Sequence, residues 1–229
     1  MPTLATLLLA DSRLPTGGHV HSAGVEAAIA RGLLRDTADL ELFVAGRLLG
    51  SGQVVAAAAA AACLLAARND PVNWGLWDAA LSARMPSAAT RHASRSQGAT
   101  LLRTATRLWP CTALHELSRL PHPHHPLVLG ATVAAAGESS EVAALLALHH
   151  LLGGMCSAAV RLLGLDPITV AAVQARASEP AQRVGHAAVS AAREAMTHDA
   201  PRLLPSSGTP LPEVLAELHV RMEGTLFAS

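Results

Sequence analysis

The sequence predicts an all-α fold, a single-domain bundle of about ten helices over residues 1–229. Hydrophobic residues make up 51% of the chain, aromatic residues only 2%, and tyrosine is absent. Long runs of alanine and leucine supply much of the apolar content, and these residues are strong helix formers and weak strand formers. A helical chain of 229 residues is long enough to bury a sizeable core within one unit.

The charge composition excludes several classes of function. The 17 basic and 17 acidic residues balance, so no broad field is expected to attract nucleic acid or an anionic membrane. All the basic residues are arginine, and the absence of lysine excludes Schiff-base chemistry, a lysine general base and a P-loop. A nucleotide would therefore have to be bound by a partner protein.

The cysteines and the N-terminal residues predict a cytoplasmic protein. Cys63, Cys111 and Cys156 are odd in number and widely spaced, which fits neither a disulfide framework nor a Cys-x-x-Cys metal site. They are predicted to be buried thiols in a reducing compartment. The apolar run at residues 7–10 is preceded by no positive residue and is followed by Asp11, so it does not resemble a secretory signal.

Two stretches, residues 48–67 and 142–160, lack a formal charge over roughly the length of a membrane span. The first is mainly alanine after a Gly-Ser-Gly-Gln segment, and the second contains His149, His150 and two glycines. These residues are weak or costly choices in hydrocarbon. Both stretches are predicted to be buried core helices, and no membrane association is expected.

Capping and turn residues divide the N-terminal half into helices. Residues 15–18, Pro-Thr-Gly-Gly, predict a β-turn, because proline fits its first central position and glycine permits positive φ angles. Ser22 is the predicted N-cap of the helix that follows, and residues 69–71, Asn-Asp-Pro, end a later alanine-rich helix. The predicted helices are 22–30, 37–49, the alanine-rich helix ending at 68, a short helix with Trp74, Trp77 and Leu81 on its apolar face, and 87–108.

Proline and glycine also organise the C-terminal half. Three prolines and three histidines within residues 119–126 predict a surface loop or the rim of a helix pair. Asp166 followed by Pro167 predicts an N-cap and a first helical residue. Residues 201–212, rich in proline, serine and glycine, predict a mobile loop. The predicted helices are 127–136, 140–163, a region reaching 198 with a break at Pro180, and 213–224 within a C-terminal docking tail of residues 213–229.

Motifs for nucleophilic catalysis are weak, and the chain is not predicted to be an enzyme. Ser12, Ser22 and Ser94 lie outside any nucleophile elbow, and the sequence contains no Gly-x-Ser-x-Gly. Asp11, next to Ser12, is predicted to cap a helix end rather than to belong to a catalytic triad.

Histidines are the candidate metal ligands. They cluster in three places: His19 and His21; His122, His124 and His125; and His149 and His150. Neutral imidazole is a good ligand for nickel or zinc, but the spacing matches neither His-Glu-x-x-His nor a Cys/His quartet. The adjacent pair at 149 and 150 is expected to point to different sides of a helix. A solvated histidine-rich loop is predicted at 119–126 rather than a metal site, and no tightly bound cofactor is expected.

Residues 9–26, Leu-Ala-Asp-Ser-Arg-Leu-Pro-Thr-Gly-Gly-His-Val-His-Ser-Ala-Gly-Val-Glu, closely resemble the N-terminal signature of the UreF family of urease accessory proteins. The resemblance continues in residues 91–98, Arg-His-Ala-Ser-Arg-Ser-Gln-Gly, in 129–130, in 157–162 and in 219–229, and so spans nearly the whole chain in order. The sequence departs from the family pattern at four positions: His19, Val25, Val220 and Thr225 stand where the family usually has Phe, Leu, Glu and Arg.

The resemblance implies a function by assembly. Proteins similar to this one dimerise, bind an accessory protein of the UreD (UreH) type and recruit the nickel-carrying GTPase UreG, and the complex then meets apo-urease. The UreF-type subunit acts as a scaffold that modulates GTP hydrolysis and nickel passage, so nickel in transit is the only metal implied.

Three groups of residues are the candidates for partner binding. They are Asp11, Ser12, Gly17, Gly18, Ser22, Gly24 and Glu26 around the turn and the first signature helix; Arg91, Ser94, Arg95 and Gly98; and Leu226 with Phe227. Each group has a plain alternative that remains open: capping or ion pairing for the first, a solvated helix face for the second, and docking on the chain's own core for the third.

Two other classes of function also remain open. One is a helical adaptor unrelated to metal, which would form a stable monomer indifferent to nickel and to urease proteins. The other is a small metalloenzyme that uses His122, His124 and His125, which would retain stoichiometric metal after purification.

Overall fold

A computed structural model describes residues 3–68, 70–206 and 209–227, with the side chain of His19 outside the description. Within these ranges the secondary structure is helical, without a strand, which confirms the predicted all-α fold. The α-helices are α1 Leu4–Ala10, α2 Val25–Ala30, α3 Thr37–Arg47, α4 Gln53–Ala66, α5 Trp74–Ser82, α6 Ala88–Leu108, α7 Thr112–Leu117, α8 His125–Ala135, α9 Ser140–Leu163, α10 Pro167–Arg176, α11 Ser178–Thr197 and α12 Pro210–His219.

Helices α3 and α4 form one kinked helix. A π-helical turn, Leu48–Gly52, joins them, and Gly50 within it has the non-helical angles φ −96° and ψ −109°. The part of the chain that the structure describes therefore contains eleven continuous α-helices, close to the predicted number. Short 3-10 turns occur at Gly18–Val20 and Pro201–Leu203.

Side-chain caps fix several helix starts where the sequence predicts them. The Ser87 hydroxyl accepts a hydrogen bond from the Thr90 backbone N–H and begins α6. The Asp166 carboxylate accepts hydrogen bonds from the N–H groups of Ile168 and Thr169, and Pro167 occupies the first helical position of α10. Each cap satisfies backbone donors that have no partner inside the helix.

Other boundaries differ from the prediction. Helices α1 and α7 were not predicted, because six or seven residues are too few to give a helical period. The break expected at Pro180 lies instead at Ala177, and Pro180 falls in the first turn of α11, where its missing N–H removes no helical bond. The last helix runs from Pro210 to His219 rather than over 213–224.

The alanine-rich helix α4 lies at the centre of the core. Every residue from Ala56 to Ala62 has zero exposed surface, and the helix packs against α8, α9 and α11. A Cβ added to Gly130 of α8 would lie 2.1 Å from the Ala59 carbonyl oxygen of α4. Small side chains therefore let these two helix backbones approach closely.

Two helices are long and apolar enough to cross a membrane by length and composition, Thr37–Ala66 and Ser140–Leu163. In the most apolar 18-residue stretch of each helix, 72% and 56% of the residues, respectively, are buried inside the protein. The structure places both in the packed core, as the sequence predicts for the stretches at 48–67 and 142–160.

The three cysteines are free thiols. Cys63 and Cys156 are buried, and burial raises their thiol pKa values to about 12 and about 11. Cys111 is only half-buried, so the prediction of a buried thiol is wrong there, because it directly precedes α7 at the edge of the core.

Much of the segment 201–212 is in contact with the rest of the protein. Pro201 and Leu204 are buried, and the Arg84 guanidinium donates hydrogen bonds to the carbonyl oxygens of Leu204 and Pro205, both at 2.8 Å. Residues 207 and 208 lie outside the described residues. The mobility of the loop and the single-domain organisation stay predictions.

Candidate functional site

Glu26 on α2 holds the end of the described tail through a group of hydrogen bonds called here the tail anchor: Glu26, His219, Leu226 and Phe227. One carboxylate oxygen accepts from the Leu226 backbone N–H at 2.6 Å. The other lies 2.8 Å from His219 Nε2 and 3.0 Å from the Phe227 backbone nitrogen. Because an ionised carboxylate only accepts hydrogen bonds, His219 carries its proton on Nε2.

The environment of Glu26 favours its charged form. Burial by itself raises the pKa of the carboxyl group, but the hydrogen bonds from His219, Leu226 and Phe227 outweigh it and lower the pKa below its usual 4.5. The side chain is only 9% exposed, so these three donors replace the water that would otherwise solvate the charge.

The two tail residues in the anchor differ in exposure. Phe227 is 5% exposed, and the guanidinium carbon of Arg161 lies 4.6 Å from its ring centroid, a cation–π geometry. Leu226 is 57% exposed. In this structure the aromatic side chain docks on the chain's own core, while the neighbouring leucine side chain faces outward.

The residues before Glu26 shape the start of α2. Gly24 adopts φ +91°, a left-handed angle that side chains rarely take, and it is the N-cap residue in place of the predicted Ser22. Ser22 is fully buried, and its hydroxyl accepts a hydrogen bond from the Glu26 backbone N–H at 3.3 Å. Ser22, Gly24 and Glu26 therefore belong to the same assembly as the tail.

The second predicted group lies in a polar cluster called here the Asp78 network: Asp78, Ser82, Ser94, Arg95 and His124. Arg95 pairs with Asp78 at 2.7 Å and donates to the Ser82 hydroxyl at 2.9 Å. Asp78 also accepts from the His124 backbone N–H at 3.0 Å. The His124 ring lies between two hydroxyls, Ser94 at 3.0 Å from Nδ1 and Ser82 at 2.8 Å from Nε2.

His124 corrects the prediction of a solvated histidine loop. Its side chain is fully buried, and burial lowers its pKa to about 4, although Asp78 acts in the opposite direction. His122 is exposed, as predicted, but its backbone carbonyl accepts a hydrogen bond from Arg95 at 2.6 Å. The loop is fixed to α5 and α6 because its polar groups have partners on both helices.

Two other residues of the second group support the same loops. A Cβ on Gly98 would lie 2.0 Å from the Pro123 carbonyl oxygen, so only glycine permits this approach. Arg91 donates to the carbonyl oxygens of Met85 at 2.6 Å and Pro86 at 2.8 Å. The structure thus brings Ser94, Arg95 and Gly98 together at the 122–125 segment, and Arg91 to the loop before α6.

Asp11, Ser12 and Gly18 line a cavity of about 770 Å³, called here the central cavity. Gly17, beside it, adopts φ +80° and packs on Thr100, which lies 3.1 Å from the position of an added Cβ. Asp11 ends α1 and pairs with Arg13 at 2.6 Å. Asp11, Ser12 and Gly18 thus form part of the cavity lining. In the described structure, neither Asp11 nor Gly18 makes a hydrogen bond to the tail anchor.

Four histidines also line the central cavity: His21, His125, His149 and His150. The rings of His149 and His150 lie 5.9 Å apart, and their Nε2 atoms contact the Ala10 and Leu9 carbonyl oxygens at the end of α1. The prediction that the two point to different sides of α9 is therefore wrong, because both rings turn toward that helix end.

Burial keeps most of these imidazoles neutral. It lowers the pKa values of His21 and His150 to about 4 and that of His125 to about 3. Neutral imidazole is the form that binds a metal ion. Among the described residues, no group of three or more His, Cys, Asp or Glu side chains is arranged to hold one.

Sequence reasoning missed several members of these assemblies: Asp78, Ser82, His219 and Arg161. Asp78 and Ser82 could have been grouped from the sequence, because residues four apart lie on one face of a helix such as α5. His219 and Arg161 lie in the stretches 219–229 and 157–162 that the family resemblance covers, but no local pattern indicates their partners, which lie far away in the sequence.

Comparison with known proteins agrees with the resemblance in the sequence. The UreF family model matches residues 34–178. Over the full length of both chains, the protein is 43% identical to a urease accessory protein UreF of Mycolicibacterium vanbaalenii, 41% identical to one of Mycobacterium marinum, and 39% identical to one of Mycobacterium tuberculosis. These relatives are named as accessory proteins, not as urease itself. With this similarity across the entire chain, the protein belongs to the UreF family of urease accessory proteins.

Proposed function

We propose that this chain is a cytoplasmic scaffold for nickel insertion into apo-urease, which bridges a UreD/UreH-type accessory protein and the UreG-type GTPase. Within that complex it forms a homodimer, modulates GTP hydrolysis and catalyses no reaction itself. The observation that carries the proposal is the full-length identity of 39–43% to proteins named urease accessory proteins.

The tail supports a docking role, since it combines a firm anchor with exposed apolar side chains. Glu26 fixes the backbone of residues 226 and 227. Leu226 is 57% exposed, and Val214 and Val220 nearby in the sequence are 52% and 65% exposed. Aliphatic side chains held on an ordered segment bury apolar area in a partner without a large loss of conformational entropy.

The central cavity supports nickel as a passing cargo. Its walls carry the neutral imidazoles of His21, His125 and His150, which are suitable nickel ligands. The lack of a three-ligand cluster among the described residues suits transient contact better than storage. In this proposal the histidines exchange nickel with partner residues, and the metal does not stay in the scaffold.

The test is light scattering coupled to size-exclusion chromatography with the UreD-type and UreG-type partners. The variants are the full chain, the chain ending at Gly224, and Leu226→Ser. Leu226→Ser removes only an exposed side chain and leaves the backbone N–H that binds Glu26. Ile168→Ser, which changes an 81% exposed residue of α10, is the matched control.

We expect the full chain and Ile168→Ser to form the larger complex, and the truncated chain and Leu226→Ser to form less of it. Equal complex formation by all four proteins would leave the scaffold function intact and remove the tail from the docking surface. Absence of any complex with the full chain would contradict the scaffold function and favour a helical adaptor unrelated to metal.

The metalloenzyme alternative is disfavoured by the Asp78 network. Both ring nitrogens of His124 already have hydroxyl partners, so this residue cannot bind metal without breaking two hydrogen bonds. Stoichiometric metal in the purified protein, lost together with an activity when His122, His124 and His125 are changed, would reverse this conclusion.

A further inference from the structure

Arg47, the last residue of α3, is a buried arginine that has no hydrogen-bond partner among the described residues. It is 9% exposed and lines the central cavity. Its Nε is fully buried, and its guanidinium group donates no hydrogen bond to any part of the chain that the structure describes. Arg84, which lines the same cavity, differs in that it donates to four backbone carbonyl groups, those of Ala80, Arg202, Leu204 and Pro205.

Arg47 remains charged at neutral pH. Burial lowers its pKa to about 10, and the negative charge of Glu213 acts in the opposite direction. A buried guanidinium that lacks a protein acceptor is unfavourable, because the protein does not replace the hydrogen bonds that the group loses to bulk water. The sequence therefore maintains a positive charge in the cavity wall at a cost in folding free energy.

Glu213 does not neutralise this charge by direct contact. Its carboxylate accepts a hydrogen bond from the Ser87 backbone N–H at 2.9 Å. Among the described residues, no carboxylate oxygen lies within 4.0 Å of Arg47, since the ion pairs of the chain involve other arginines and His219. The donors of Arg47 remain available to a ligand.

A second unpartnered donor lies close in the chain. The Ser51 hydroxyl is buried, has no hydrogen-bond partner in the described structure, and belongs to a residue that lines the same cavity. Ser51 is part of the π-helical turn Leu48–Gly52, which directly follows Arg47. Single π turns inside α-helices occur frequently at functional sites, because they redirect side chains that a regular helix would place elsewhere.

We propose that Arg47 and Ser51 form a binding site for a small oxyanion on the wall of the central cavity. The guanidinium supplies charge and a planar pair of donors, which match the oxygens of a carboxylate or a phosphate, and the hydroxyl supplies a further donor. The shared ligand chemistry is a compact anion with at least two oxygens, and it is distinct from the imidazoles proposed to contact nickel.

Isothermal titration calorimetry on the full chain tests this site, with inorganic phosphate in one arm and acetate in the other. Sodium chloride at matched ionic strength corrects for general screening. The variants are Arg47→Met, which keeps the aliphatic volume, Arg47→Lys, which keeps the charge, and Ser51→Ala. Arg183→Met, at a 65% exposed arginine of α11, is the matched control.

We expect saturable binding of at least one anion to the unchanged chain and to Arg183→Met, and none to Arg47→Met. Arg47→Lys loses the bidentate geometry and should bind at least about tenfold more weakly. The anion that binds more tightly identifies the class of ligand: tighter binding of phosphate indicates a tetrahedral anion, and tighter binding of acetate indicates a planar carboxylate. Ser51→Ala should weaken binding without abolishing it.

Thermal unfolding in chloride alone separates this role from a structural one. We expect Arg47→Met to be at least as stable as the unchanged chain, because it removes an unpaired buried charge. Phosphate or acetate should raise the midpoint temperature of the unchanged chain but not that of Arg47→Met. Glu213→Gln removes the negative charge that acts on Arg47 and is the comparison for a purely structural role. The site is contradicted if neither anion binds saturably or if Arg47→Met binds as well as the unchanged chain. It is also contradicted if Arg47→Met and Glu213→Gln lower the stability in chloride by equal amounts, because Arg47 would then act as a structural partner of Glu213.

Discussion

Glu26 shows how one side chain connects distant parts of this protein. Its hydrogen-bond donors are 193 to 201 residues away in the sequence. Hydrogen bonds to an ionised acceptor are about twice as strong as neutral ones, and they are stronger still when the site excludes water. The charge on this carboxylate therefore determines how firmly residues 219–227 are attached.

We predict that Glu26→Gln loosens the tail. The glutamine amide places an N–H donor against the Leu226 or Phe227 backbone N–H, so at least one of the hydrogen bonds is lost. The free energy of unfolding should fall by about 2 to 3 kcal/mol. Urea unfolding measures this loss, and hydrogen exchange at Leu226 and Phe227 should become faster. Glu223→Gln makes the same chemical change at an exposed position and should leave both measurements unchanged.

Four histidines with lowered pKa values predict a pH dependence of stability. His21, His124 and His150 have folded pKa values of about 4, and His125 of about 3, all below the usual imidazole value of 6.5. Between pH 6.5 and the folded pKa values, the unfolded chain binds protons that the folded chain excludes. Stability therefore falls as the pH decreases from about 6.5 toward 4. Each histidine contributes a slope of about 1.4 kcal/mol per pH unit at most.

Urea titrations at several pH values between 7 and 5 measure this slope. His150→Gln retains a donor for the Leu9 carbonyl oxygen but cannot titrate, so the slope should decrease by about one quarter of its value. His186→Gln, at an exposed position of α11, is the control. A slope that is the same in His150→Gln as in the unchanged chain would refute the assignment. Below pH 4.5, the usual pKa of a glutamate, Glu26 adds to the loss of stability, because its hydrogen bonds stabilise the fold fully only while the carboxylate is ionised.

At the residue scale, sequence reasoning identified Glu26, Ser94 and Arg95 but not their partners. The resemblance marked these positions, whereas their contacts arise from long-range packing that no local pattern encodes. The burial of His124 is an example: its neighbours in the sequence are prolines and histidines typical of a loop, and its environment comes from α5 and α6.

At the scale of elements, close approach of backbones requires particular small residues. Helix α6 meets the 122–125 segment at Gly98, where a Cβ would lie 2.9 Å from the His125 nitrogen as well as against Pro123. The neighbouring Asp78 network depends on this approach, since Ser94 and Arg95 on α6 reach the segment through hydrogen bonds of 3.0 Å or less.

Gly98→Ala should therefore destabilise the protein by about 2 kcal/mol or more, because the added methyl group meets backbone atoms that cannot rotate away. Gly46→Ala is the matched control: nothing lies within 4 Å of its added Cβ, and α3 should gain up to about 1 kcal/mol from the better helix former. Thermal unfolding of the two variants should give opposite shifts. Equal shifts would show that the 122–125 segment moves freely to accommodate the methyl group.

Helix positions were predicted best where a cap or a proline marks the start. Ser87 and the Asp166-Pro167 pair set α6 and α10 correctly, because these signals are local. The short helices α1 and α7 and the π turn at Leu48–Gly52 were missed, since segments of five to seven residues are too short to give a periodic pattern.

At the scale of the whole molecule, α4 is the central helix of the core. Three helices pack around it, and the residues from Ala56 to Ala62 leave no exposed surface. The sequence predicted that this helix is buried, but it could not indicate which helices surround it. A core built on alanine has close backbone contacts and little space for a larger side chain.

We predict that Ala59→Leu destabilises the entire fold by about 3 kcal/mol, since the residue is fully buried and the added carbons must displace one of the helices packed against α4. Circular dichroism during heating should show one cooperative transition at a lower temperature, rather than loss of α4 alone. Ala45→Leu, an exposed position on α3, should leave the midpoint nearly unchanged. Two separate transitions would indicate that the helices around α4 do not fold as one unit.

The tail anchor also sets an order of events during biosynthesis. Phe227 follows Glu26 by 201 residues, so a ribosome that adds about 5 to 20 residues per second makes it roughly 10 to 40 seconds later. Throughout that interval the Glu26 carboxylate of the nascent chain lacks the hydrogen-bond donors that surround it in the folded protein. Early helices such as α2 therefore complete their packing only after the last helix has emerged, and the unfinished surface around Glu26 stays open to chaperones until then.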